Sequence, residues 1–454
     1  MRFLKNIFSN KNSSGESYKS LDASRYFDNA AATQTSAEVI KAMREVQDDT
    51  NNLGLFSNPS GIYKSGVFAK RQIEDSRKKI SDIMNCHSDE VVFTSSGTES
   101  NNLALLGYVK NYVINKKENT TKAKVITTNI EHAAVLEPLR YLEKMGLIDI
   151  VYMKVDETGV VNVNDLREIL KSEKGIILVS VMYANNETGR VQPVKEIGRV
   201  IEEYNREIEN KIKYHIDACQ AANYLDIDTK KLRVDLMSVN SSKIYGPKGI
   251  ALLYKNRNTH IDPIVYGGGQ ERGLRSGTEN IVGIVGFARA MEKCENLKNK
   301  NKSENNNKQS EIERLINLQD YFVTKIQKEI PGVKVYTHRN DINKIIDKKA
   351  EERDSKINFF NIESLPNNIN IGLPGMLSDE MVIRLDNVGF AVSHKSACAS
   401  EEVGEGSYVL RAMGASEKES NENIRVTMGR QTTQKSTDEL ISNIKEIYFK
   451  YRLI

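Results

Sequence analysis

Short apolar segments alternate with amphipathic segments along much of the chain. Apolar runs that predict buried strands lie at residues 91–94, 125–127, 176–182, 214–216, 234–239 and 250–254. Between most of these runs, apolar residues recur at the three- and four-residue spacing of a helix, as at Leu103, Leu106, Val109 and Val113. This alternation predicts an α/β fold in which helices cover both faces of a mainly parallel sheet.

Polar side chains follow most of the predicted strands, close to the point where each strand ends. The carboxyl ends of parallel strands meet at one edge of a sheet, where α/β proteins bind their ligands. Any one such residue is typical of an ordinary turn, but their convergence at one edge indicates a binding site. These residues are Thr98, His132, Asn186, Asp217, Gln220 and Lys243.

Residues 95–102, SSGTESNN, form a loop of small and hydroxylated residues between a predicted strand and a predicted helix. Backbone N–H groups at the start of a helix attract anions, so Gly97 and Thr98 predict a phosphate-binding loop. The alternative is an ordinary strand-to-helix turn that is capped by Ser or Thr. The loop has neither a GxGxxG pattern nor a Walker lysine, which disfavours dinucleotide and P-loop sites.

Residues 241–249, SSKIYGPKG, lie between two predicted buried strands. Gly and Pro predict a tight turn here, and Lys243 stands within it. A desolvated lysine loses its proton more readily, and a neutral amine forms Schiff bases with carbonyl compounds. The alternative is a loop lysine that reaches solvent, which is a common arrangement.

Together these residues suit a cofactor that carries an aldehyde, a phosphate and a pyridine ring. Lys243 would form the Schiff base, and the loop of small residues would hold the phosphate. Asp217 would keep the pyridine nitrogen protonated, so that the ring withdraws electrons. His132 would stack on the ring, while Asn186 and Gln220 would donate to its hydroxyl oxygen.

A second candidate centre is Cys398, within the polar run SHKSACAS. His394 and Lys395 precede it, and nearby positive charge favours the reactive thiolate. Gly404 and Gly406 follow it and would let the loop move. The alternative is a buried structural cysteine, although such cysteines are more typical of apolar runs.

Composition narrows the class of protein. The 454 residues include 65 Lys and Arg against 61 Asp and Glu, and 39% are hydrophobic. This balance of charge does not suggest a nucleic-acid binder, and no run approaches the roughly 20 apolar residues of a membrane helix. The four cysteines form no CxxC pair, so the sequence predicts neither a metal site nor a disulfide framework, and a reducing compartment fits best.

Nine motifs in chain order make the sequence resemble cysteine desulfurases of the iron–sulfur-cluster-assembly type, which are pyridoxal-phosphate enzymes of the class V aminotransferase superfamily. The motifs are YFDNAA, FTSSGTESNN, IEH, YANNETG, HIDACQ, SSKIYGPKG, GGGQERGLRSGTEN, SACAS and IRVTMGR. The resemblance implies fold type I, which is aspartate-aminotransferase-like, with a large sheet domain and a small C-terminal α/β domain. It also implies conversion of L-cysteine to L-alanine, with the sulfur supplied to iron–sulfur cluster assembly or to tRNA thiolation.

By this resemblance, Lys243 binds pyridoxal 5'-phosphate covalently, and Cys398 accepts the sulfur as a persulfide. Thr98 binds the phosphate together with the residues just before Lys243. In a homodimer, Thr278 reaches the phosphate of the partner subunit. The residues implied at the substrate are Arg425, which pairs with its carboxylate, and Asn186.

Two positions depart from the family pattern, which has histidine immediately before the lysine and serine three residues before it. Here these positions are Ser242 and Asn240, whose hydroxyl and amide groups still donate to phosphate. We therefore expect an altered cofactor affinity, with the chemistry retained.

The predicted domains are a basic extension at 1–25, a large cofactor-binding domain at 26–290 and a small domain with the cysteine loop at 291–454. The first 14 residues carry three basic residues and no acid, which is typical of a mitochondrial import signal or of a disordered basic tail. Asn/Lys-rich and charged insertions are predicted at about 293–310 and 338–358, as disordered surface loops.

The resemblance implies L-cysteine as substrate, and a scaffold protein and sulfur acceptors as partners; neither nucleic acid nor a membrane is expected. A mitochondrion or related organelle is the expected compartment, with the cytoplasm as the alternative. Other functions stay open at this point. They are a selenocysteine lyase or a transaminase of the same superfamily, and a non-catalytic subunit that keeps the fold as an assembly platform.

Overall fold

The computed structural model describes residues 22–49, 51–115, 122–299, 310–340, 345, 358–395 and 406–452. Cys398, most of the basic extension and much of both predicted insertions lie outside these residues. The predictions made for those parts of the chain therefore stay predictions.

The strands of the described residues form a large sheet and a small one. The large sheet contains β1 (Val91–Thr94), β2 (Ala123–Thr128), β3 (Ile148–Met153), β4 (Ile176–Met182), β5 (Lys213–Asp217), β6 (Leu236–Asn240) and β7 (Ala251–Lys255). Its strand order is β1-β7-β6-β5-β4-β2-β3. The small sheet contains β8 (Lys334–Val335), β9 (Asn368–Gly372) and β10 (Asn423–Thr427), which pair antiparallel in the order β10-β9-β8.

Four of the six strand pairs in the large sheet are parallel: β2–β3, β2–β4, β4–β5 and β5–β6. Strand β7 is antiparallel to both of its neighbours, β1 and β6. Because β1 and β6 both run opposite to β7, the carboxyl end of β1 lies at the same edge as the carboxyl ends of β4, β5 and β6. The predicted mainly parallel α/β fold is confirmed.

Helices connect most of the strands. They are α1 (Ala37–Gln47), α2 (Lys64–Ile83), α3 (Gly97–Asn115), α4 (Ala133–Lys144), α5 (Val163–Ser172), α6 (Val194–Glu207), α7 (Thr229–Leu232), α8 (Ile281–Asn299), α9 (Glu311–Glu329), α10 (Ser378–Asn387), α11 (Tyr408–Ala412), α12 (Glu417–Ser420) and α13 (Gln434–Tyr451). Within the described ranges, none of these helices is long and apolar enough to cross a bilayer.

Both faces of the large sheet are covered, which explains why its central strands are continuous apolar runs. In β4, Leu178 packs into a cluster with Leu103 of α3 on one face. Val179 and Val181 belong to a second cluster that includes Ile197 of α6. The sequence pattern that predicted buried strands therefore reflects burial on both sides.

His215 is a polar residue inside this core, on β5. Its side chain is fully buried, with Nδ1 2.8 Å from Ser180 Oγ and Nε2 3.3 Å from Ser238 Oγ. Burial lowers the pKa of His215 to about 4, so the ring is neutral at pH 7. The histidine of the HIDACQ motif therefore packs the sheet.

The predicted insertion at 293–310 begins too early. Helix α8 continues through residue 299, so residues 293–299 are helical and do not form a disordered surface loop. Cys294 is buried on this helix, and Lys298 Nζ donates to Leu225 O at 3.1 Å. The Asn- and Lys-rich composition concealed the buried face of the last helical turns.

The chain between β7 and α8 is fixed to the large sheet by a buried ion pair. Arg77 Nη2 of α2 lies 2.7 Å from Glu271 Oε1, and the two side chains are only 3% and 2% exposed. Glu271 also accepts from the backbone N–H of Phe93 in β1, at 2.8 Å. Because Glu271 and Arg272 have φ values of 46° and 59°, these contacts hold a backbone turn that non-glycine residues rarely adopt.

We predict that Glu271→Ala lowers the free energy of unfolding by about 3 kcal/mol, because it leaves the Arg77 charge buried without its main partner. Chemical denaturation measures this change. Glu137→Ala is the matched control, since Glu137 pairs with Arg140 on the exposed surface and should contribute less than about 1 kcal/mol. Equal losses of unfolding free energy in the two variants would show that burial does not determine how much an ion pair contributes to stability.

Candidate active site

A cavity of about 180 Å³ lies at the carboxyl edge of the large sheet. Most of the residues predicted to form a site line it together. They are Gly97, Thr98, His132, Asn186, Asp217, Gln220, Asn240, Lys243 and Arg425. Ser242 lies beside the cavity without lining it, Thr278 is exposed elsewhere on the surface, and Cys398 is outside the described residues.

Lys243 stands at the end of the 3₁₀ turn Ser241–Lys243, which follows β6 directly. Its Nζ donates to two backbone carbonyls, Ala30 O at 2.7 Å and Ala31 O at 2.5 Å. Gln220 Nε2 also donates to Ala30 O, at 2.9 Å. The amine is therefore held at the cavity by the N-terminal segment that contains Ala30 and Ala31.

This N-terminal segment, residues 26–33, forms a wall of the cavity that the sequence did not reveal. Its Thr33 N–H donates to Ser242 O at 2.9 Å, beside the lysine. Its Asn29 Nδ2 donates to Thr427 O at 2.8 Å, at the end of β10. The segment therefore connects the large sheet to the small sheet across the site.

The Asp217 carboxylate, at the end of β5, is fixed by two donors. Asn101 Nδ2 donates to Asp217 Oδ2 at 2.7 Å, and the Cys219 backbone N–H donates to Oδ1 at 3.0 Å. Asn101 was missed from the sequence, although it lies one helical turn after Gly97 and so shares its helix face. Its buried amide orients the acid toward the cavity.

Gly97 begins helix α3 at the mouth of the predicted phosphate loop. A Cβ at this position would lie 2.7 Å from Cys219 Sγ, so only glycine fits without displacing the thiol. Ser96 Oγ accepts from the Glu99 N–H at 3.1 Å and caps the helix. The first turn of a helix leaves N–H groups without intrahelical partners, and these groups suit an anion.

Asn240 and Ser242 hold each other next to this loop. Asn240 Oδ1 accepts from both the N–H and the hydroxyl of Ser242, each at 3.2 Å. Asn240 lines the cavity, and its engaged oxygen leaves the Nδ2 group as its donor. The hydroxyl of Ser242 is directed to Asn240.

Thr278 is exposed and follows a segment that is tied to the start of α3. Arg275 Nε lies 2.9 Å from Glu99 Oε1, one residue after Thr98. The surface that carries Thr278 is therefore linked to the predicted phosphate loop of the same chain.

His132 is the N-cap of α4, and its Nδ1 accepts from the Ala134 N–H at 3.1 Å. A nitrogen that accepts a hydrogen bond carries no proton, so the proton of the neutral ring is on Nε2. Nε2 is therefore the nitrogen that can exchange a proton at the cavity.

Arg425 of β10 is 1% exposed, yet it lines the cavity. Its Nη1 donates to Asn186 O at 2.9 Å, and its Nη2 lies 2.8 Å from Asp28 Oδ1. A buried guanidinium beside a polar cavity suits a carboxylate ligand.

Comparison with known proteins agrees with this geometry. A family model for the class-V aminotransferases matches residues 25–440. The cysteine desulfurase IscS of Dictyoglomus turgidum is 35% identical over 430 residues, which cover 94% of this chain and 95% of that protein. The chain belongs to the cysteine desulfurases of the aminotransferase class-V family.

Two further proteins are similar to this chain over most of its length. The mitosomal cysteine desulfurase of Trachipleistophora hominis is 34% identical and covers 90% of this chain and 82% of its own length. A solved NifS-like protein matches with a TM-score of 0.76 at 29% identity, and the match covers 94% of this chain and 99% of that structure. The resemblance and the aspartate-aminotransferase-like fold that were predicted from the sequence are confirmed, and membership implies a pyridoxal-phosphate-dependent enzyme.

In this cysteine desulfurase, the chain leaves the described region just before Cys398, from a position beside the cavity. Ser393 and Arg425 exchange backbone hydrogen bonds at 3.1 and 2.6 Å. Lys395, two residues further on, is the last described residue before Cys398. The described segment that leads to Cys398 therefore ends beside the arginine of the cavity.

The chain returns at residue 406 and is anchored to the opposite wall. Ser407 Oγ donates to the buried Glu187 Oε2 at 2.5 Å, next to Asn186. The Tyr408 hydroxyl donates to Glu131 O at 2.6 Å, next to His132. Both ends of the cysteine loop are therefore fixed to residues that adjoin the cavity lining.

His394 lies at the end of the described segment before Cys398. Burial lowers the pKa of His394, although its Nε2 lies 2.6 Å from Asp379 Oδ1. This shift disfavours the positive charge that the position of His394 before Cys398 suggested.

Glu131 is a fully buried acid in the motif IEH. Its Oε1 accepts from the Thr128 hydroxyl and from the Met182 N–H, each at 2.8 Å, while Oε2 has no partner among the described residues. Burial, assisted by the negative charge of Asp217, raises the pKa of Glu131 to about 8. The side chain is therefore protonated at neutral pH.

We predict that Glu131→Gln gains stability relative to the native protein as the pH rises from 6 to 8. Between pH 6 and about 7 the unfolded native chain has released the proton and the folded chain retains it, so the native protein loses about 1.4 kcal/mol per pH unit. The loss per unit becomes smaller as the pH approaches the folded-state pKa of about 8. Glutamine does not titrate and escapes this loss. Denaturation midpoints at pH 6, 7 and 8 measure the difference, with the exposed Glu137→Gln as a control that should show no such trend.

Proposed function

We propose that this protein removes sulfur from L-cysteine, releases L-alanine and holds the sulfur on Cys398 as a persulfide. The observation that carries the proposal is the meeting of Lys243, Asp217 and Arg425 around one cavity in a cysteine desulfurase chain. An amine, an acid and a guanidinium at one cavity match the needs of a pyridoxal-phosphate site that takes an amino acid.

The residues of the cavity fit pyridoxal phosphate. The buried Oδ1 atoms of Asn101 and Asn186 have no hydrogen-bond partner among the described residues, which is expected where a ligand supplies the partner. When bound, this cofactor supplies an electron-withdrawing ring that stabilises negative charge on the amino-acid carbon.

Each predicted residue has a proposed contact with the cofactor. Lys243 would attach it covalently, Asp217 would face the pyridine nitrogen, and His132 would cover the ring. Four residues are proposed for its phosphate, and two for its ring hydroxyl. The phosphate set is Gly97, Thr98, Asn240 and Ser242, with Thr278 from the second subunit, and the hydroxyl pair is Asn186 and Gln220.

In the proposed sulfur-transfer step, Cys398 is the nucleophile. Its thiolate forms a sulfur–sulfur bond to the substrate while the carbon–sulfur bond of the substrate breaks. The carbon fragment then takes a proton, for which Lys243 Nζ and His132 Nε2 are the donors that the cavity offers. The products, alanine and the persulfide, balance the substrate and the thiol.

We predict that Lys243→Ala abolishes both the visible absorbance of the attached cofactor and the formation of alanine. Cys398→Ser should keep the absorbance but form no persulfide. Visible spectra before and after addition of L-cysteine, with alanine and protein-bound sulfur quantified, measure both effects.

Matched controls for this prediction lie in the same chain. Lys248→Ala changes an exposed lysine of the same loop, and Cys86→Ser changes a cysteine whose pKa burial raises to about 12. Both should retain activity. Full sulfur mobilisation by Cys398→Ser would exclude that residue as the nucleophile, and release of a keto acid would indicate a transaminase.

A homodimer is proposed on the apolar surface at the start of α2. Phe56, Ile62, Tyr63 and Val67 are 87%, 97%, 55% and 54% exposed, and clustered exposed apolar side chains mark interaction surfaces. A second copy is the proposed occupant, because a Thr278 that is exposed on its own subunit would then reach the partner's phosphate.

We predict that Phe56→Glu combined with Ile62→Glu converts the dimer to a monomer, because each change places a charge in the apolar contact. Light scattering should report a fall from twice the chain mass to 51.2 kDa. Ile114→Glu, at a 65% exposed residue outside this surface, should remain dimeric. A monomeric native protein would contradict the proposal.

The proposed partners are an iron–sulfur scaffold protein and other sulfur acceptors, since a persulfide must pass its sulfur on before the next turnover. The proposed compartment is a mitochondrion-related organelle. The basic composition of the first 14 residues supports this location, as does the mitosomal relative.

A further inference from the structure

We propose that Asp28 is a positioning residue that fixes the Arg425 guanidinium for a substrate carboxylate. The inference rests on the proposed function, because it concerns how the same cavity receives an amino acid. Asp28 belongs to the motif YFDNAA, whose pattern indicated no role for the Asp28 side chain.

The guanidinium of Arg425 is held at two of its nitrogens by groups from different parts of the chain. Nη1 donates to Asn186 O at 2.9 Å, after β4, and Nη2 lies 2.8 Å from Asp28 Oδ1 in the N-terminal segment. Two fixed acceptors define the plane of a guanidinium, because its N–H groups form a rigid fork. Without Asp28, the contact with Asn186 O would be the one remaining hydrogen bond of the guanidinium among the described residues.

A third donor of the same guanidinium is left without a partner. Arg425 Nε is buried and has no hydrogen-bond partner among the described residues, although the side chain lines the cavity. Buried N–H groups of this kind are normally paired. An incoming carboxylate would supply the missing acceptor, provided that the plane of the guanidinium is already set.

Asp28 is itself held in place. Its backbone carbonyl accepts from the Tyr26 hydroxyl at 2.9 Å and from the Ala31 N–H at 3.1 Å. The backbone at Asp28 also forms a bridge with Thr427, at the end of the strand that carries Arg425. The backbone that carries the carboxylate is therefore fixed, and the Asp28 side chain is only 20% exposed.

The same short segment also holds the lysine of the site. Asp28 contacts Arg425, while the carbonyls of Ala30 and Ala31 accept from Lys243 Nζ. In an α-amino acid, one carbon atom joins the nitrogen to the carboxylate, so the groups that receive these two ends must keep a fixed separation. Residues 28–31 set that separation.

The test compares binding of L-alanine with binding of L-alaninamide, which lacks the carboxylate, to the cofactor-loaded protein. Titrations follow the visible absorbance of the cofactor. Asp28→Ala removes the acceptor and should weaken L-alanine binding about tenfold or more. Asp28→Asn keeps an acceptor oxygen and should lose less affinity for L-alanine. L-Alaninamide should bind the native protein and both variants equally.

The matched control is Asp89→Ala, which removes the partner of the exposed Arg257 and should change neither affinity. Unchanged or tighter L-alanine binding by Asp28→Ala would overturn the inference. Equal losses for both probes would also overturn it, because a general structural effect does not discriminate by carboxylate.

Failure of the proposed function gives a different result. If the native protein shows no spectral response to L-alanine or L-cysteine, the proposed function is wrong. A crystal structure of Asp28→Ala then decides the inference by itself. A displaced or multiply oriented Arg425 guanidinium would support the positioning role, and an unchanged single orientation would overturn it.

Discussion

The contact between the Lys243 amine and the carbonyls of Ala30 and Ala31 is the interaction on which the site depends. It brings a segment from the start of the described chain against the end of β6, and the hydrogen bonds of Thr33 to Ser242 continue that contact. The same segment pairs with the end of β10. Since one strip of backbone touches both sheets, it closes a cavity between them that neither sheet would form alone.

Polar groups at this cavity are buried because the elements around it are packed, and most of them are satisfied by other protein groups. Asn101 is paired with Asp217, and Arg425 with Asp28. Asn101 Oδ1, Asn186 Oδ1 and Arg425 Nε have no hydrogen-bond partner among the described residues, and all three residues line the same cavity. Leaving buried polar groups unpaired is costly, so these three atoms suit a polar ligand in the cavity.

The sequence predicted six of the seven strands of the large sheet and missed β3. The run predicted at residues 176–182 coincides with β4, where both faces of the strand pack against helices. Strand β3, Ile148–Met153, was missed because Asp149 and Tyr152 interrupt its apolar pattern. Its place at the sheet edge is not the reason, since the edge strand β1 was predicted. The apolar pattern therefore predicts a strand only where polar residues do not interrupt it.

Whether a residue follows a local pattern also explains which site residues were predictable. Residues at strand ends, such as Asp217 and Lys243, follow a local rule and were found. Asp28 and the carbonyls of Ala30 and Ala31 act through contacts that join residues up to 397 positions apart, as between Asp28 and Arg425. Such contacts leave no pattern in a single sequence, because they do not constrain the residues that are close in sequence to either partner.

The replacement of the family's serine and histidine by Asn240 and Ser242 can be understood from the turn that precedes the lysine. The Asn240 side chain caps the 3₁₀ turn by accepting from the Ser242 N–H, and this turn ends at Lys243. This cap stabilises the turn that presents the lysine. The position that the family fills with an imidazole carries a hydroxyl here, so we expect anion binding to depend on neutral donors and on the start of α3. We therefore expect the exchange to alter how tightly a phosphate is held.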